Sequence, residues 1–184
     1  MRANPDALRA EGSLNVARIK IVSDMISRLG KGLTVLDVGC GDGIVSQPII
    51  KMGNNVASIE LPEIASLAHK CRVPLLVAGD AEHLTFASDI FDVILASEVM
   101  EHLWNPHNFF DEVNRVLRDN GYLIISTPEG KEGLRYDSHK NYFTVDSLKQ
   151  IFRSKFTVYE IKRIKAKGAQ VPTIIMLLRK KEAC

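Results

Sequence analysis

The sequence predicts an α/β fold in which a mostly parallel sheet lies between two layers of helices. Strand-like and helix-like segments alternate along most of the 184 residues. The first five strand-like segments are nearly continuous apolar runs, which are typical of parallel strands covered on both faces. No helical segment separates the last two strand-like segments, so we expect them to form an antiparallel hairpin at one edge of the sheet.

Composition predicts one soluble domain spanning residues 1–184. Apolar residues make up 46% of the chain, charged residues 25%, and the formal net charge is +2. These values are ordinary for a globular protein and point to no particular partner. The chain has three widely spaced cysteines and no CxxC pair. We therefore expect reduced thiols and a cytoplasmic location. We find no signal peptide pattern and no apolar run long enough for a transmembrane segment.

The first element is a predicted amphipathic helix within residues 1–30. Ser13 is the predicted N-cap, and Gly30 and Gly32 mark the exit. The apolar residues that recur at helical spacing are Leu14, Ala17, Ile21, Met25 and Leu29.

The central elements follow as alternating strands and helices. The predicted strands are 33–39, 54–61, 73–80, 91–97 and 122–128. The predicted helices are 44–52, 62–70 and 106–121, the last one ending at Gly121.

The last elements follow a predicted loop at 129–143. Thr144 and Asp146 mark the start of a helix at 144–152. Two strands of alternating polarity, 156–164 and 171–179, then close the chain around a turn at 167–169. The 129–143 loop should cover the carboxyl edge of the sheet, where Arg135, Tyr136, His139 and Tyr142 would face an acceptor.

The motif VLDVGCGDG, residues 35–43, predicts a ligand-binding turn between the first strand and its helix. Gly39 and Gly41 permit a tight turn and a close approach of a ligand. A dinucleotide-binding turn would have a third glycine where this chain has Ile44, and a pyrophosphate would be repelled by Asp37 and Asp42. A cationic ligand without phosphate, such as S-adenosylmethionine, suits these carboxylates better. The alternative is that Asp37 only caps the next helix and the glycines only reverse the chain.

Two further acids end the next two strands. Glu60 ends the second strand, where a carboxylate can accept hydrogen bonds from ribose hydroxyls. Asp80 ends the third strand, where it can accept from an adenine amino group. Either residue alone could be a solvated loop acid, but three successive strands that end in acids indicate one binding cleft.

The motifs VLDVGCGDG, SIEL, GDAEHLTF, FDVILASEVMEHL and EVNRVLRDNGYLIISTP resemble those of class I S-adenosylmethionine-dependent methyltransferases. The resemblance implies a Rossmann-like, seven-stranded sheet of order 3-2-1-4-5-7-6 with strand 7 antiparallel. It also implies S-adenosylmethionine as methyl donor, with the methionine part near the glycine turn, the ribose near Glu60 and the adenine near Asp80. The residues that the resemblance assigns to this cofactor are Arg18, Asp37, Gly39, Cys40, Gly41, Glu60, Leu61, Asp80, Ala81, Glu82, Ser97 and Glu98.

Within that superfamily the chain is most similar to the ubiquinone-biosynthesis type of O-methyltransferase, or methyltransferase type 11. In that type an NPxR segment of the leading helix supplies an arginine to the cofactor's carboxylate. The corresponding stretch here is NVAR, so the role would fall to Arg18, although the proline is missing. The alternative is a surface arginine on an amphipathic helix.

The segment EVMEHL also resembles the ExxEH element of small-RNA 2′-O-methyltransferases, in which two glutamates and two histidines surround a divalent metal. The corresponding residues are Glu98, Glu101, His102 and His139. A divalent metal is not the favoured prediction, because many metal-free relatives carry EHL after the fourth strand and His107 offers a competing position. The metal set therefore stays an alternative.

Methyl transfer from a sulfonium needs alignment and, for a hydroxyl acceptor, a base. The candidate catalytic residues are His102, His139 and Glu101. We expect a small-molecule or partner-supplied acceptor, because the sequence shows no separate substrate domain. The resemblance to O-methyltransferases implies methylation at oxygen, and the metal-assisted alternative would act on catechol or ribose hydroxyls. The alternative class is a regulator or subunit that binds S-adenosylmethionine without transferring the methyl group.

For the basic residues of the final hairpin and for Trp104, we expect a structural role rather than a role in binding. The basic residues near the final hairpin are expected to form a solvated face rather than a nucleic-acid or membrane patch. Trp104 is expected to anchor a helix in the core rather than to line the cleft. The basic residues are Lys162, Arg163, Lys165, Lys167, Arg179, Lys180 and Lys181.

Overall fold

The computed structural model describes residues 5–65, 73–130, 138–165 and 171–182. Seven strands form one sheet in the order β3-β2-β1-β4-β5-β7-β6. Neighbouring strands are parallel from β3 to β5, whereas β7 is antiparallel to both β5 and β6. The strands are β1 Thr34–Val38, β2 Asn55–Glu60, β3 Leu75–Ala78, β4 Phe91–Ser97, β5 Leu117–Pro128, β6 Phe156–Ile164 and β7 Thr173–Lys180. The predicted fold class and strand order are confirmed.

Four helices and one 3-10 turn lie wholly within these ranges, and residues 62–65, the start of the predicted helix 62–70, are also helical. Asn105 begins α3 by accepting a hydrogen bond from the His107 N–H, with Pro106 at the first helical position. Thr144 begins α4 through a capping box with Ser147, which confirms the predicted start. The elements are α1 Pro5–Leu29, α2 Ser46–Lys51, the 3-10 turn Met100–His102, α3 Pro106–Val116 and α4 Val145–Phe152. No helix within the described residues is long and apolar enough to cross a membrane.

Two hydrophobic clusters lie on opposite faces of the sheet. Leu36, Ile94 and Ile125 point to one face, and their neighbours in the strands point to the other, because side chains alternate along a strand. Phe109 of α3 and Phe152 of α4 pack in the first cluster. The second cluster contains α1 and α2 residues: Val22, Met25, Ile26 and Ile49. Both faces are therefore covered, as the apolar strands predict.

Two predicted helix boundaries are wrong. Helix α1 begins at Pro5, so Ser13 lies inside the helix and is not its N-cap. Helix α3 ends at Val116 rather than at Gly121, because Leu117 is already extended and pairs with Phe91 of β4. At Gly121 a Cβ would lie 2.8 Å from the Arg118 carbonyl oxygen, so glycine serves this tight turn within β5.

The final hairpin also differs from the prediction in one respect. Strand β6 forms the edge of the sheet, but β7 lies between β5 and β6 and is almost entirely buried. Its continuous apolar run, not an alternating one, fits that internal position. The predicted turn at 167–169, residues 66–70 of the predicted helix, Arg135, Tyr136, Cys71 and Cys184 lie outside the described residues.

Candidate functional site

Two of the three glycines in the turn after β1, Gly39 and Gly41, are required for different structural reasons. Gly39 has φ of +67°, and a Cβ there would lie 2.6 Å from Val99 Cγ2. Gly41 has φ of +54°, but a Cβ there would meet nothing within 4 Å. Gly39 is therefore required by packing against the segment after β4, whereas Gly41 borders open space at the carboxyl edge of the sheet.

Asp37 lies beneath this turn rather than on its surface. The Ser46 hydroxyl at the start of α2 donates a hydrogen bond of 2.5 Å to Asp37 Oδ2. Burial raises the pKa of Asp37 to about 7, and the Glu60 charge adds to the rise while the bond from Ser46 opposes it. Burial likewise raises the pKa of the Cys40 thiol to about 12, so this cysteine is not a nucleophile at neutral pH.

The acids at the ends of β2 and β3 differ in exposure. Glu60 is buried, and its two carboxylate oxygens accept 2.7 Å hydrogen bonds from the backbone N–H groups of Gly41 and Leu61. This places the carboxylate directly behind the open side of Gly41. Asp80 is exposed, and its Oδ1 accepts from the Glu82 N–H at 2.9 Å. Ala81, which lies between Asp80 and Glu82 in the chain, is half-buried.

Glu82 connects this side of the cleft to the segment after β4. Its buried carboxylate Oε1 accepts from the backbone N–H groups of Trp104 and Asn105, at 2.6 Å and 3.1 Å. Glu82 was predicted as a cofactor residue, and the bonds it makes hold the chain at the start of α3.

Arg18 and Glu98 form an ion pair at the other end of the cleft. Arg18 Nη1 lies 3.2 Å from Glu98 Oε1, and the arginine side chain is only 11% exposed. The Arg18 Nε is buried and has no hydrogen-bond partner among the described residues. Ser126, whose hydroxyl is 3.0 Å from that of Ser97, donates to Glu98 Oε1 at 2.9 Å. Glu98 has φ of +58°, a strained conformation for glutamate that is typical of functional sites.

Glu101, which follows β4, is also buried, with 2% of its surface exposed. The Thr127 hydroxyl at the end of β5 donates a 3.0 Å hydrogen bond to Glu101 Oε2. Burial raises the pKa of Glu101 to about 8, and the negative charge of Glu98 contributes a further rise. At neutral pH the carboxyl group is therefore largely protonated.

His102 and His139 meet beside Glu101, although 36 residues separate them in the chain. Their ring centroids are 4.8 Å apart at an interplanar angle of 81°. One ligand atom from each of Glu101, His102 and His139 lies within 4.8 Å of the others. Glu98 is not in this group, because Arg18 and Ser126 bind its carboxylate. Three of the four alternative metal ligands are thus brought together.

The tautomer of His102 follows from its surroundings. His102 Nδ1 lies 3.1 Å from the backbone carbonyl oxygen of Ser138. A carbonyl only accepts, so Nδ1 carries the proton and Nε2 is left with the lone pair in the neutral ring. His102 is exposed, so this basic nitrogen is accessible.

Sequence reasoning missed three residues of the site: Ser126, Thr127 and Asn141. Ser126 and Thr127 end the apolar run of β5, next to Ser97 at the end of β4. Polar residues at that position were a usable signal, because adjacent parallel strands end at the same edge. Asn141 carried no such signal.

Two predictions for the surface have different outcomes. The expectation that Trp104 anchors a helix in the core is wrong: its side chain is 84% exposed, and Lys140 Nζ lies 3.9 Å from the ring centroid. Lys180 is buried, where it donates to the Leu117 carbonyl and pairs with Asp89 and Asp119, so it is not part of the predicted solvated face. Lys162 and Arg163 are exposed and pair with Glu160 and Glu129. That the other basic residues form only a solvated face stays a prediction.

Comparison with known proteins gives consistent matches. Residues 36–125 match the family of methyltransferase domains. A ubiquinone biosynthesis O-methyltransferase of Azorhizobium caulinodans is 31% identical over 131 residues, which cover 62% of this chain and 52% of that protein. A second one, from Maricaulis maris, is 35% identical over 104 residues, covering 53% of this chain and 41% of that protein. The chain thus spans about half the length of the curated relatives it matches.

Solved structures share the fold over nearly the whole chain. The N-methyltransferase NodS of Bradyrhizobium japonicum WM9, in complex with S-adenosyl-L-homocysteine, superposes with a TM-score of 0.81 at 18% identity. The superposition covers 98% of this chain and 94% of NodS. The 1,6-didemethyltoxoflavin-N1-methyltransferase of Burkholderia thailandensis gives a TM-score of 0.74 at 22% identity, covering 99% of this chain and 92% of that one. At these identities the structural matches support the fold.

Proposed function

We propose that this chain is a class I S-adenosylmethionine-dependent methyltransferase that transfers a methyl group to an oxygen atom of a small-molecule acceptor. The observation that carries the proposal is the cleft at the carboxyl edge of the sheet. There the open side of Gly41, the Glu60 carboxylate and the Arg18–Glu98 pair are followed by a histidine pair. Gly41 and Glu60 would face a nucleoside, the Arg18–Glu98 pair an amino-acid group, and the histidine pair a methyl acceptor.

The residues fit the cofactor for chemical reasons. The open space beside Gly41 is where a side chain would obstruct a ligand, and Glu60 has lone pairs left to accept from ribose hydroxyls. The exposed Asp80 carboxylate can accept from an adenine amino group, and the exposed Leu61 offers an apolar surface to a base. No phosphate is needed, and the acidic turn would disfavour one.

The Arg18–Glu98 pair complements an α-amino acid. The buried Arg18 Nε retains an N–H without a partner among the described residues, which a carboxylate would satisfy. Glu98 would accept from the ammonium group. Together they would fix the end of the methionine chain and so orient the methyl group toward the acceptor.

The histidine pair supplies the base. S-adenosylmethionine, held by Arg18, Glu98 and Glu60, would supply the methyl group to a hydroxyl oxygen, and the electron pair of the carbon–sulfur bond would stay with sulfur. The acceptor proton passes to the accessible Nε2 of His102, whose Nδ1–H is held by the Ser138 carbonyl. Glu101, kept protonated at neutral pH by burial, stays beside the imidazoles without competing for that proton.

Oxygen is preferred over nitrogen as the acceptor atom because of the relatives at 31% and 35% identity. Both are named O-methyltransferases, whereas the two N-methyltransferases share only the fold at 18% and 22% identity. A base next to the acceptor also matters more for a hydroxyl than for a neutral amine, which already has a free lone pair.

A metal-assisted variant of the same reaction is the second candidate. It is favoured by one observation, the proximity of Glu101, His102 and His139. One carboxylate and two imidazoles suit a divalent cation such as Zn²⁺ or Mn²⁺, which would lower the pKa of an acceptor hydroxyl. Titration of Mg²⁺, Mn²⁺ and Zn²⁺ into the protein saturated with S-adenosylhomocysteine distinguishes the two variants. Micromolar binding that is lost in Glu101→Ala, but kept when the exposed Asp111 is changed to Ala, supports the metal.

The main test combines binding with turnover. Calorimetry should show micromolar binding of S-adenosylhomocysteine, and radiolabelled S-adenosylmethionine should label catechols or phenols in preference to amines. Binding without transfer to any acceptor would favour the non-catalytic alternative. No binding at millimolar concentration would contradict the proposal altogether.

A further inference from the structure

The short segment Ser138–Asn141 is held on the 3-10 turn by backbone hydrogen bonds. The N–H groups of Lys140 and Asn141 both donate to the Glu101 carbonyl oxygen, at 2.7 Å and 3.1 Å. The Ser138 carbonyl accepts from His102 Nδ1. A segment without helix or strand structure is thus bonded, residue after residue, to the turn that carries two candidate catalytic groups.

The Asn141 side chain completes this attachment. Its Nδ2 donates to the Leu103 carbonyl at 2.6 Å and approaches the Met100 carbonyl at 3.4 Å. These two carbonyls stand on either side of Glu101 and His102 in the chain. The two N–H bonds of one amide group therefore span the turn, which a carboxylate, a hydroxyl or an aliphatic side chain could not do.

The attachment has a direct consequence for His139. His139 stands two residues before Asn141, and its ring contacts that of His102 with 4.8 Å between centroids. Holding a loop residue at one place costs conformational entropy. The hydrogen bonds of Asn141 to the turn offset part of the entropy lost when His139 is held in place.

We propose that Asn141 is a positioning residue, whose side-chain amide holds His139 against His102 and Glu101. Asn141 acts through His139 and does not itself touch the acceptor. The inference rests on the proposed function only for its kinetic consequence, because the placement of His139 can be measured without turnover.

The test compares Asn141→Asp and Asn141→Ala with the control Asn120→Asp. Asn141→Asp keeps the shape but replaces the N–H donors by an oxygen that repels the two carbonyls. Asn141→Ala removes the donors without adding charge. Asn120, whose amide donates to Glu182 near the end of β7, undergoes the same chemical change far from the cleft.

The first measurement is the nuclear Overhauser effect between the ring protons of His102 and His139. It should be present in the wild type and in Asn120→Asp, and lost in both Asn141 variants. Affinity for S-adenosylhomocysteine should stay within about twofold of wild type. The rate constant kcat should fall about tenfold or more, as expected when a catalytic group is misplaced, with KM for the methyl donor little changed.

Three results would overturn the inference. Retention of the effect in either Asn141 variant would show that another contact places His139. A loss of the histidine contact together with a loss of cofactor affinity well beyond twofold would show that Asn141 supports the whole cleft. Absence of the contact in the wild type would remove its basis. A wild type that shows the histidine contact but methylates nothing would instead refute the proposed function and leave this inference intact.

Discussion

The two halves of the cleft are built in different ways. The proposed cofactor half, after β1, β2 and β3, consists of turns in which the candidate residues lie close to the strand that precedes them: Gly39, Gly41, Glu60 and Asp80. The proposed acceptor half joins Glu101 and His102, after β4, to Thr127 at the end of β5 and His139 in the following loop. The first half depends on local backbone geometry, and the second on contacts between distant segments.

Electrostatics separates the halves as well. In the cofactor half the carboxylate of the buried Glu60 accepts hydrogen bonds from two backbone N–H groups. In the acceptor half burial raises the pKa of Glu101 to about 8 and the Glu98 charge adds to the rise, while the single hydroxyl donor, Thr127, opposes it. A fixed acceptor of hydrogen bonds suits ligand binding, whereas a protonated carboxyl group beside the imidazoles leaves the acceptor proton to His102.

The largest expected effect is on catalysis in the acceptor half. Replacing His102 by Gln removes the basic nitrogen and should lower kcat about 100-fold, the lower range for loss of a general base. Affinity for S-adenosylhomocysteine should not change, because the cofactor half is intact. His107→Gln, in an exposed residue of the first turn of α3, is the matched control and should keep full activity. Equal losses in the two variants would refute the division of the cleft.

The next effect separates the two glycines. Gly39→Ala should reduce the free energy of unfolding by about 2–4 kcal/mol, for two reasons: the new Cβ would clash with Val99, and alanine would have to adopt a positive φ. Gly41→Ala should reduce it by only about 1 kcal/mol, since only the φ strain applies there. Urea unfolding measures both, and cofactor titration of Gly41→Ala should show the greater loss of affinity per unit of lost stability. The opposite ranking of stabilities would show that the turn relaxes.

A smaller effect is predicted for the ion pair at the methionine end. Arg18→Ala should weaken binding of S-adenosylhomocysteine about tenfold, or about 1.4 kcal/mol, by removing the donor to the carboxylate. Arg28→Ala is the control on the same helix, because Arg28 pairs with Asp24 and Glu160 near the end of α1. Unchanged affinity in Arg18→Ala would mean that Arg18 serves only to neutralise Glu98.

The pH dependence of stability should reveal the state of Glu101. Its pKa is about 8 in the folded protein against an ordinary value of 4.5, so between these pH values only the folded state holds the proton. Its contribution to stability is therefore fully present below pH 4.5 and is lost as pH rises to about 8. Relative to Glu101→Gln, the wild type should lose stability between pH 5 and pH 8.5 in urea titrations. Parallel pH profiles for the two proteins would contradict the raised pKa.

The smallest effect concerns Trp104 at the rim between the halves. Trp104→Ala should change the free energy of unfolding by less than about 0.5 kcal/mol, because the side chain is exposed and makes one cation–π contact. Thermal unfolding checks this directly. A loss of several kcal/mol would restore the rejected idea that Trp104 anchors the core.

The sequence by itself determined the α/β class, because apolar runs report burial on both faces of the sheet. The strand order followed from the resemblance to methyltransferases, and the structure confirms it. The cofactor residues stay a prediction, made possible because the glycines and strand-end acids lie within a few residues of the strands that place them. The same local information failed at helix ends: α3 stops at Val116 because Leu117 pairs with Phe91, a contact 26 residues away.

Only the tertiary structure decided how the acceptor half is assembled. The spacing of Glu101 and His102 suggested a common site, but the nearness of His139 depends on Asn141, whose amide reaches the carbonyls of Met100 and Leu103. The exclusion of Glu98 from the group at Glu101 depends on Arg18, some 80 residues earlier in the chain. Such choices are made by hydrogen bonds and charges between segments that meet only when the sheet has formed, and no local pattern in the sequence records them.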